Sequence, residues 1–415
     1  MYSHTTMNTP SKIKKIELEQ LTPGMFVHDL DCSWLEHPFL RNRFLVRDEK
    51  VVEKIAQAGI RSLYIDTERG DDIEAPNQVE LARSINQGIN NLAEFQRERI
   101  SKTISLNEER RRAAPLYREA TSVVQQVLTG ARLGAVSEIA RLDPVVERIV
   151  DSVFRHSDAL IPMAQLKRHD TYTYEHAVAS AAMMAAFGRN SGLEKTQIHS
   201  ITLGAMLQDI GMTRIPNTIT DKPSRLNPSE IAMVRGHVEH SHHIAQELSG
   251  LPEASLEVIA QHHERVDGSG YPFRLRGDEI SIHGQMAAIV DVYDAMTSRR
   301  PYQKALSPTE ALRKLYEWSE HHFDATLVQG FIRTLGIYPV GSLVRLESGV
   351  LGVVVEQTNE LLKPVVRIFF NSRTGNYFSP ELVRIGRAGG AGHGPVISHE
   401  SFSQWNIDPI RWIPS

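Results

Sequence analysis

The sequence has a single cysteine, Cys32, which excludes an intramolecular disulfide and a cysteine-built zinc finger. It also lacks any apolar run near the ~18–20 residues of a membrane span. The closest stretch, 177–187, is too short and has polar neighbours. No apolar segment follows the opening MYSHTTMNTPSKIKK, so it does not read as a secretory signal. An excess of one charge is missing too. Forty-six Lys and Arg face 50 Asp and Glu, a formal charge of −4, which argues against a surface built to coat nucleic acid. These absences lead us to expect a cytoplasmic protein with no membrane span and no polymeric nucleic acid as partner. Histidine, by contrast, is plentiful: there are 18, and many fall between His156 and His283.

The 415 residues leave room for two or three domains. Short apolar runs between turn signals predict a small α+β domain over 1–69, with strands near 21–27, 44–46 and 62–65 and a helix over 48–58. A charged, amide-rich stretch turning helical makes 70–144 a helical linker region. Pro144 after Asp143 marks a helix start. Helical periodicity then dominates 145–336, with about seven helices that include 196–208, 228–248, 252–263, 282–298 and 308–321. Asn227 is placed to cap the second of these. β-Branched runs predict a β appendage over 337–385, packed on the helices. A Gly-rich linker and tail, 386–415, is anchored by Trp405 and Trp412. The expected fold class is therefore a multidomain, mainly α chain with small α+β and β additions.

Chemistry concentrates on the predicted helices. His176 lies in TYTYEHA, Gln208 and Asp209 in LQDIGM, His237 in RGHVEH, His262 and His263 in QHHERVDGSGYP, and Asp291 in IVDVYDAMTS. Helical bundles build metal sites by projecting such side chains into the space between facing helices. Mixed imidazole and carboxylate ligands suit iron, manganese or zinc. Two metals about 3.5–4 Å apart can clamp a phosphodiester for in-line attack. Taken singly, a histidine such as His176 or His237 is more often a hydrogen-bonded core or surface residue than a ligand, and Asp291 suits a helix-surface charge. Near the N-terminus, His28, Asp29, Asp31 and Cys32 cluster, but a turn with solvated charges accounts for them.

The run HHERVDGSGYP at 262–272 matches the HHExxDGxGYP signature of the HD-GYP family. The other segments agree in order: DTYTYEH at 170–176, QDIG at 208–211, IPNTITDKPSRL at 215–226, the His237 region and DVYDAMTSRRPY at 291–302. Residues 145–335 thus resemble this branch of the HD-domain phosphohydrolases, and the α+β region resembles the domain of unknown function that often precedes it. The resemblance implies an HD-type helical bundle. It also implies a cyclic di-GMP phosphodiesterase yielding pGpG and then GMP, with two divalent ions, iron or manganese, as cofactors. It makes His176 and Asp291 ligands of the first metal, Asp209 the bridge, and His237, His262 and His263 ligands of the second. Tyr172 stands where a three-metal branch has glutamate, so a third metal is not expected. Arg300 is expected to grip a phosphate oxygen, Asp170 to orient water or a guanine edge, and Gly270, Tyr271 and Pro272 to contact the substrate. GGDEF-domain diguanylate cyclases and a second copy of the chain are the implied protein partners, and motility and biofilm formation the implied biology.

Two departures bear on activity. Gln208 occupies the histidine position of the family's HD pair, and its neutral amide is a weak ligand at best. Met212 stands where a lysine usually faces the phosphate and brings neither charge nor donors. Both weaken the same end of the site. The alternative to an enzyme of modest activity is therefore a catalytically degenerate sensor of cyclic di-GMP, or a scaffold for a GGDEF partner.

Overall fold

A computed structural model of the chain describes residues 13–29, 44–57, 60, 62–67, 69–71, 104–164, 172–220, 222, 226–248, 250–298, 305–319, 321–358, 360–386 and 392–413. The chain divides into two compact units, Met1–Asn77 and Gln78–Ser415.

In the first unit, β1 (Ile13–Glu17), β2 (Phe26–Asp29), β3 (Phe44–Leu45) and β4 (Ser62–Asp66) form an antiparallel sheet in the order β1-β4-β2-β3. Helix α1 (Glu49–Gln57) sends Ile55 into the same core as Ile16, Val27, Leu63 and Ile65. The α+β character expected of this region is present. The strand expected over 21–27 begins only at Phe26, because Thr22–Gly24 are spent on a turn that brings Gly24 against Val46. Asp31 and Cys32 lie outside the described residues.

The second unit is built around a helix that is apolar on every side. Successive helices are α2 (Leu106–Arg132), α3 (Asp143–Arg155), α4 (Tyr172–Asn190), α5 (Lys195–Leu207), α6 (Pro228–Arg235), α7 (His237–Glu247), α8 (Glu253–Gln261), α9 (Ile282–Thr297), α10 (Pro308–Trp318) and α11 (Ala325–Leu335). From Ala177 to Phe187 every residue of α4 is buried. This is the stretch nearest in sequence to a membrane span. Here it is the central helix of a bundle, packed by α2, α3, α5, α9 and α11. No helix among the described residues is long and apolar enough to cross a membrane. The caps read from sequence are in place. Asn227 accepts the Glu230 N–H, with Glu230 returning the bond, and Pro144 opens α3.

Two further local readings change. The helix expected over 228–248 is two, α6 and α7, broken at Gly236. The Val234 carbonyl, which a continuous helix would pair with a backbone N–H, faces the His237 ring nitrogen Nδ1 at 2.6 Å instead. Residues 106–132, expected to be helical within a linker region, do form a helix, α2, and its Leu116, Ala120, Val124 and Val127 join the core of the bundle. Its Glu109 is fully buried and accepts from Ser152 and, bidentately, from Arg155 of α3. Buried charge of this kind persists only when paired.

The C-terminal strands β5 (Leu343–Leu346), β6 (Val350–Glu356), β7 (Val365–Asn371), β8 (Asn376–Arg384) and β9 (Val396–His399) form an antiparallel sheet ordered β8-β7-β6-β5-β9. Its strands alternate. Val344, Leu346, Val354, Val366 and Ile368 join the helical core, while Leu343, Leu351, Val353 and Phe369 form a second core on the other face. The residues read as a tail supply both β9 and the cover for that face. Trp412 stacks on Phe369 with ring centroids 3.8 Å apart, and Trp405 packs edge-on against Phe370.

Candidate metal centre

Helix ends bring the site together. His176 projects from α4, Gln208 and Asp209 follow α5, His237 opens α7, His262 and His263 follow α8, and Asp291 lies in α9. After Asp209 the chain tightens into a 3-10 turn, Ile210–Arg214, against α7. Gly211 permits this approach: a Cβ there would lie 2.1 Å from the His237 carbonyl oxygen and 2.4 Å from the Ser241 nitrogen. The Ser241 hydroxyl accepts the Gly211 N–H. Half-buried Met212 sits in this turn and offers no charge.

Asp209 is the hub. Its Oδ1 lies 3.1 Å from His237 Nε2 and 3.8 Å from His262 Nε2, and its Oδ2 lies 3.3 Å from His176 Nε2. His176 Nε2 is also 3.3 Å from Asp291 Oδ1, whose other oxygen is 3.4 Å from His263 Nδ1. The carboxylate of Asp209 thus faces a different histidine group with each oxygen.

The directions of the lone pairs test whether a metal suits these residues. The Nδ1 of His237 faces the Val234 carbonyl, that of His262 faces the Ile259 carbonyl at 3.0 Å, and that of His176 faces Asp294 Oδ2 at 2.6 Å. Each of these partners can only accept, so in the neutral ring each Nδ1 carries the proton and each Nε2 presents a lone pair; without a metal, burial is outweighed by the facing carboxylates, which raise the His176 and His237 pKa and draw a proton to that side instead. Three imidazole lone pairs therefore converge on carboxylate oxygens, with His237 Nε2 and His262 Nε2 only 3.4 Å apart. Neutral rings facing carboxylate oxygens need a cation between them, a proton or a metal ion, and this donor set fits a divalent metal. One potential ligand atom from each of Asp209, His237, His262 and His263 lies within 4.8 Å of the others, so this quartet could hold one ion.

Electrostatics follow the same geometry. Burial disfavours the charged form of Asp209, but the hydrogen bonds and charges of His176 and His237 outweigh it and hold its pKa well below the usual carboxylate range. Burial likewise opposes ionisation of Asp291, yet His263 and His176 keep it ionised. Burial pushes His262 and, with the neighbouring His262, His263 below the ordinary imidazole value, which favours the neutral, ligating form.

Gln208 sits buried at the His176 end. Its Nε2 is 3.4 Å from His176 Nε2 and 3.5 Å from Asp291 Oδ1. Both are acceptors, so the amide nitrogen rather than the carbonyl oxygen faces them. Asp170 and Arg300 lie outside the described residues.

The GYP loop borders the centre. Tyr271 stacks on His263, ring centroids 4.7 Å apart. At Gly270 a Cβ would meet Arg265 N and Glu264 Cα at 2.5 Å, so only glycine lets the loop fold back on the helix end. Pro272 follows a cis peptide bond. Two supporting residues were not singled out from sequence. Asp294 fixes the His176 ring. Glu264, 1% exposed, accepts the backbone N–H groups of Phe273, Arg274 and Leu275 and so staples the loop beneath the site. A signal existed for both: Asp294 is one helical turn after Asp291, and Glu264 is the glutamate of HHE.

Comparison with known proteins bears on the whole chain. The HD domain family matches residues 151–327, and a domain of unknown function, DUF3391, matches residues 13–142. A cyclic di-GMP phosphodiesterase of Pseudomonas aeruginosa is 36% identical over 397 residues, 95% of this chain and 94% of that one. The chain belongs to the HD-GYP family. A 3'3'-cGAMP-specific phosphodiesterase of Vibrio cholerae is 36% identical over 139 residues, 33% of this chain and 27% of its own. The solved structure of an HDG"Y"P protein from Bdellovibrio bacteriovorus aligns with a TM-score of 0.46 and 14% identity, over 77% of this chain and 98% of that one. As an HD-GYP protein, the chain carries its signature loop and its histidines on one shared centre.

Proposed function

We propose that this HD-GYP protein is a metal-dependent hydrolase that opens the phosphodiester ring of cyclic di-GMP to pGpG, with a second cut giving GMP. The observation that carries this reading is Asp209, whose two oxygens each face a separate histidine group. Asp209 Oδ1 with His237, His262 and His263 would hold one divalent ion. Asp209 Oδ2 with His176 and Asp291 would hold another, iron or manganese in both. Such ions, when bound, supply Lewis-acid polarisation of a phosphoryl oxygen and acidify water. The chain's own residues position the substrate and the charges around it. Tyr271, held against His263, walls the substrate side of the centre together with Gly270 and Pro272. Arg300 provides a bidentate fork for the non-bridging phosphate oxygens, and Asp170 orients water. In the hydrolysis, water oxygen forms a bond to phosphorus as the bond to the ribose 3′ oxygen breaks. That oxygen takes its proton from water, because Met212 has none to give.

The relative's name, a cyclic di-GMP phosphodiesterase matched over nearly the whole chain, supports this choice of substrate. The test is anaerobic loading with iron or manganese, a count of bound metal, and a turnover assay on the same sample. About two ions per chain and pGpG as product are expected. Bound cyclic di-GMP that stays intact would reject the enzyme.

One observation favours the second reading, a sensor or scaffold without turnover. The Gln208 amide offers hydrogens where His176 and Asp291 would otherwise address a metal. Restoring an imidazole tests this. Gln208→His is expected to raise metal affinity at this end by about 10–100-fold and turnover with it. A variant with unchanged metal content and rate would show that Gln208 does not limit the centre.

A further inference from the structure

The break between α6 and α7 separates two adjacent functions. His237 turns inward to Asp209, while Arg235, two residues earlier, stays exposed on the other side of Gly236. There it lines a cleft of about 440 Å³, with Gly236 and Glu239 on its own side and Gly268, Tyr271 and Arg274 of the GYP loop opposite. The cleft adjoins the metal centre through one ring: Tyr271 stacks on His263 and also carries the Arg235 guanidinium 5.0 Å from its centroid. Arg274 reaches the cleft from a left-handed backbone, φ 56°, which Glu264 stabilises by accepting its N–H. For a non-glycine residue that conformation is costly. Neither guanidinium has an ion-pair or hydrogen-bond partner for its charge among the described residues. Two arginines against the one carboxylate of Glu239 leave the cleft with a single net positive charge.

We propose that this cleft is a subsite for the second phosphodiester of a cyclic dinucleotide, the one not being cut, held by Arg235 and Arg274. This rests on reading the Asp209 centre as a cyclic-dinucleotide phosphodiesterase. In such a substrate two phosphodiesters share one ring, so with one at the metals the other must lie close beside them. The adjoining space is the cleft, and its free guanidinium forks match a monoanionic phosphodiester in charge and geometry. The subsite also offsets the charge lost at Met212, from a different direction.

The test compares two substrates on the metal-loaded full chain: cyclic di-GMP, and bis(4-nitrophenyl) phosphate, which has only one phosphodiester. For Arg235→Gln and for Arg274→Gln, the fall in kcat/KM on cyclic di-GMP is expected to exceed that on the single diester about tenfold, through KM. Arg235→Lys, which keeps the charge, is expected to recover part of the loss. An equal fall on both substrates, or none on either, overturns the subsite. Wild-type protein that hydrolyses neither overturns the enzymatic reading alone. Calorimetric titration with cyclic di-GMP then decides the subsite: weaker binding by both glutamine variants supports it, and unchanged or undetectable binding rejects it.

Discussion

His176 reaches Asp209 and Asp291 with one ring nitrogen because the other is held from behind by Asp294, through a 2.6 Å hydrogen bond that fixes the ring. Asp294 is buried, so its carboxylate stays in place only by accepting such bonds. Three carboxylates, Asp294 foremost, overcome the burial that would otherwise lower the His176 pKa and hold it well above the ordinary value. Asp294→Asn keeps the shape and removes the charge. It is expected to weaken metal binding at the His176 end by about 10–100-fold, read by chelator competition. Equal affinity in the variant would mean that the ring needs no orienting partner. Gln208 belongs to the same scale: a single side chain exchanges a lone pair for amide hydrogens at the point where a cation would be held.

At the scale of elements, the centre joins residues inside α4 and α9 to helix ends and the turns that follow them, and its surroundings depend on how helices are capped. Helix α10 illustrates this. Ser307 and Glu310 form a capping box, and Glu310 also pairs with His399 of β9, Oε1 to Nε2 3.7 Å. The pairing with His399 lowers the Glu310 pKa to about 2; burial opposes the shift, and the Ser307 hydroxyl and backbone N–H add to it. A carboxylate depressed in the folded state stabilises above its ordinary value of 4.5, and that contribution disappears as pH falls toward 2. Glu310→Gln is therefore expected to melt below the wild type at neutral pH, with the two curves converging at the acid end. A constant difference across the range would exclude the ion pair as its source.

The whole molecule places its chemistry in one of two compact units. The larger core runs without interruption from Leu106 in α2 to Val396 in β9, so helices and sheet share one hydrophobic interior. That interior contains the helices that carry or immediately precede His176, Asp209, His237, His262 and Asp291. Residues 78–415 are therefore expected to fold without residues 1–77 and to bind the same number of metal ions as the full chain. Metal counting and thermal unfolding of that fragment check it. A fragment that folds but loses metal would show that the first unit contributes to the centre.

The sequence by itself determined the helical bundle, the α+β start, the signature loop and the residues gathered at the centre. Those features rest on local periodicity, caps, and residue types at fixed spacing, all of which are properties of the chain. Tertiary structure decided what depends on distant partners. The strand Val396–His399 exists because β5 offers it an edge, which a Gly-rich approach from residue 386 does not announce. The break at Gly236, which puts His237 inward and leaves Arg235 in the cleft, depends on the Val234 carbonyl finding an imidazole. Above all, the directions of the histidine lone pairs are set by carbonyls and by a carboxylate 118 residues away. Spacing can list ligands, but only packing aims them, because a lone pair points where the hydrogen bond on the opposite side of its ring allows.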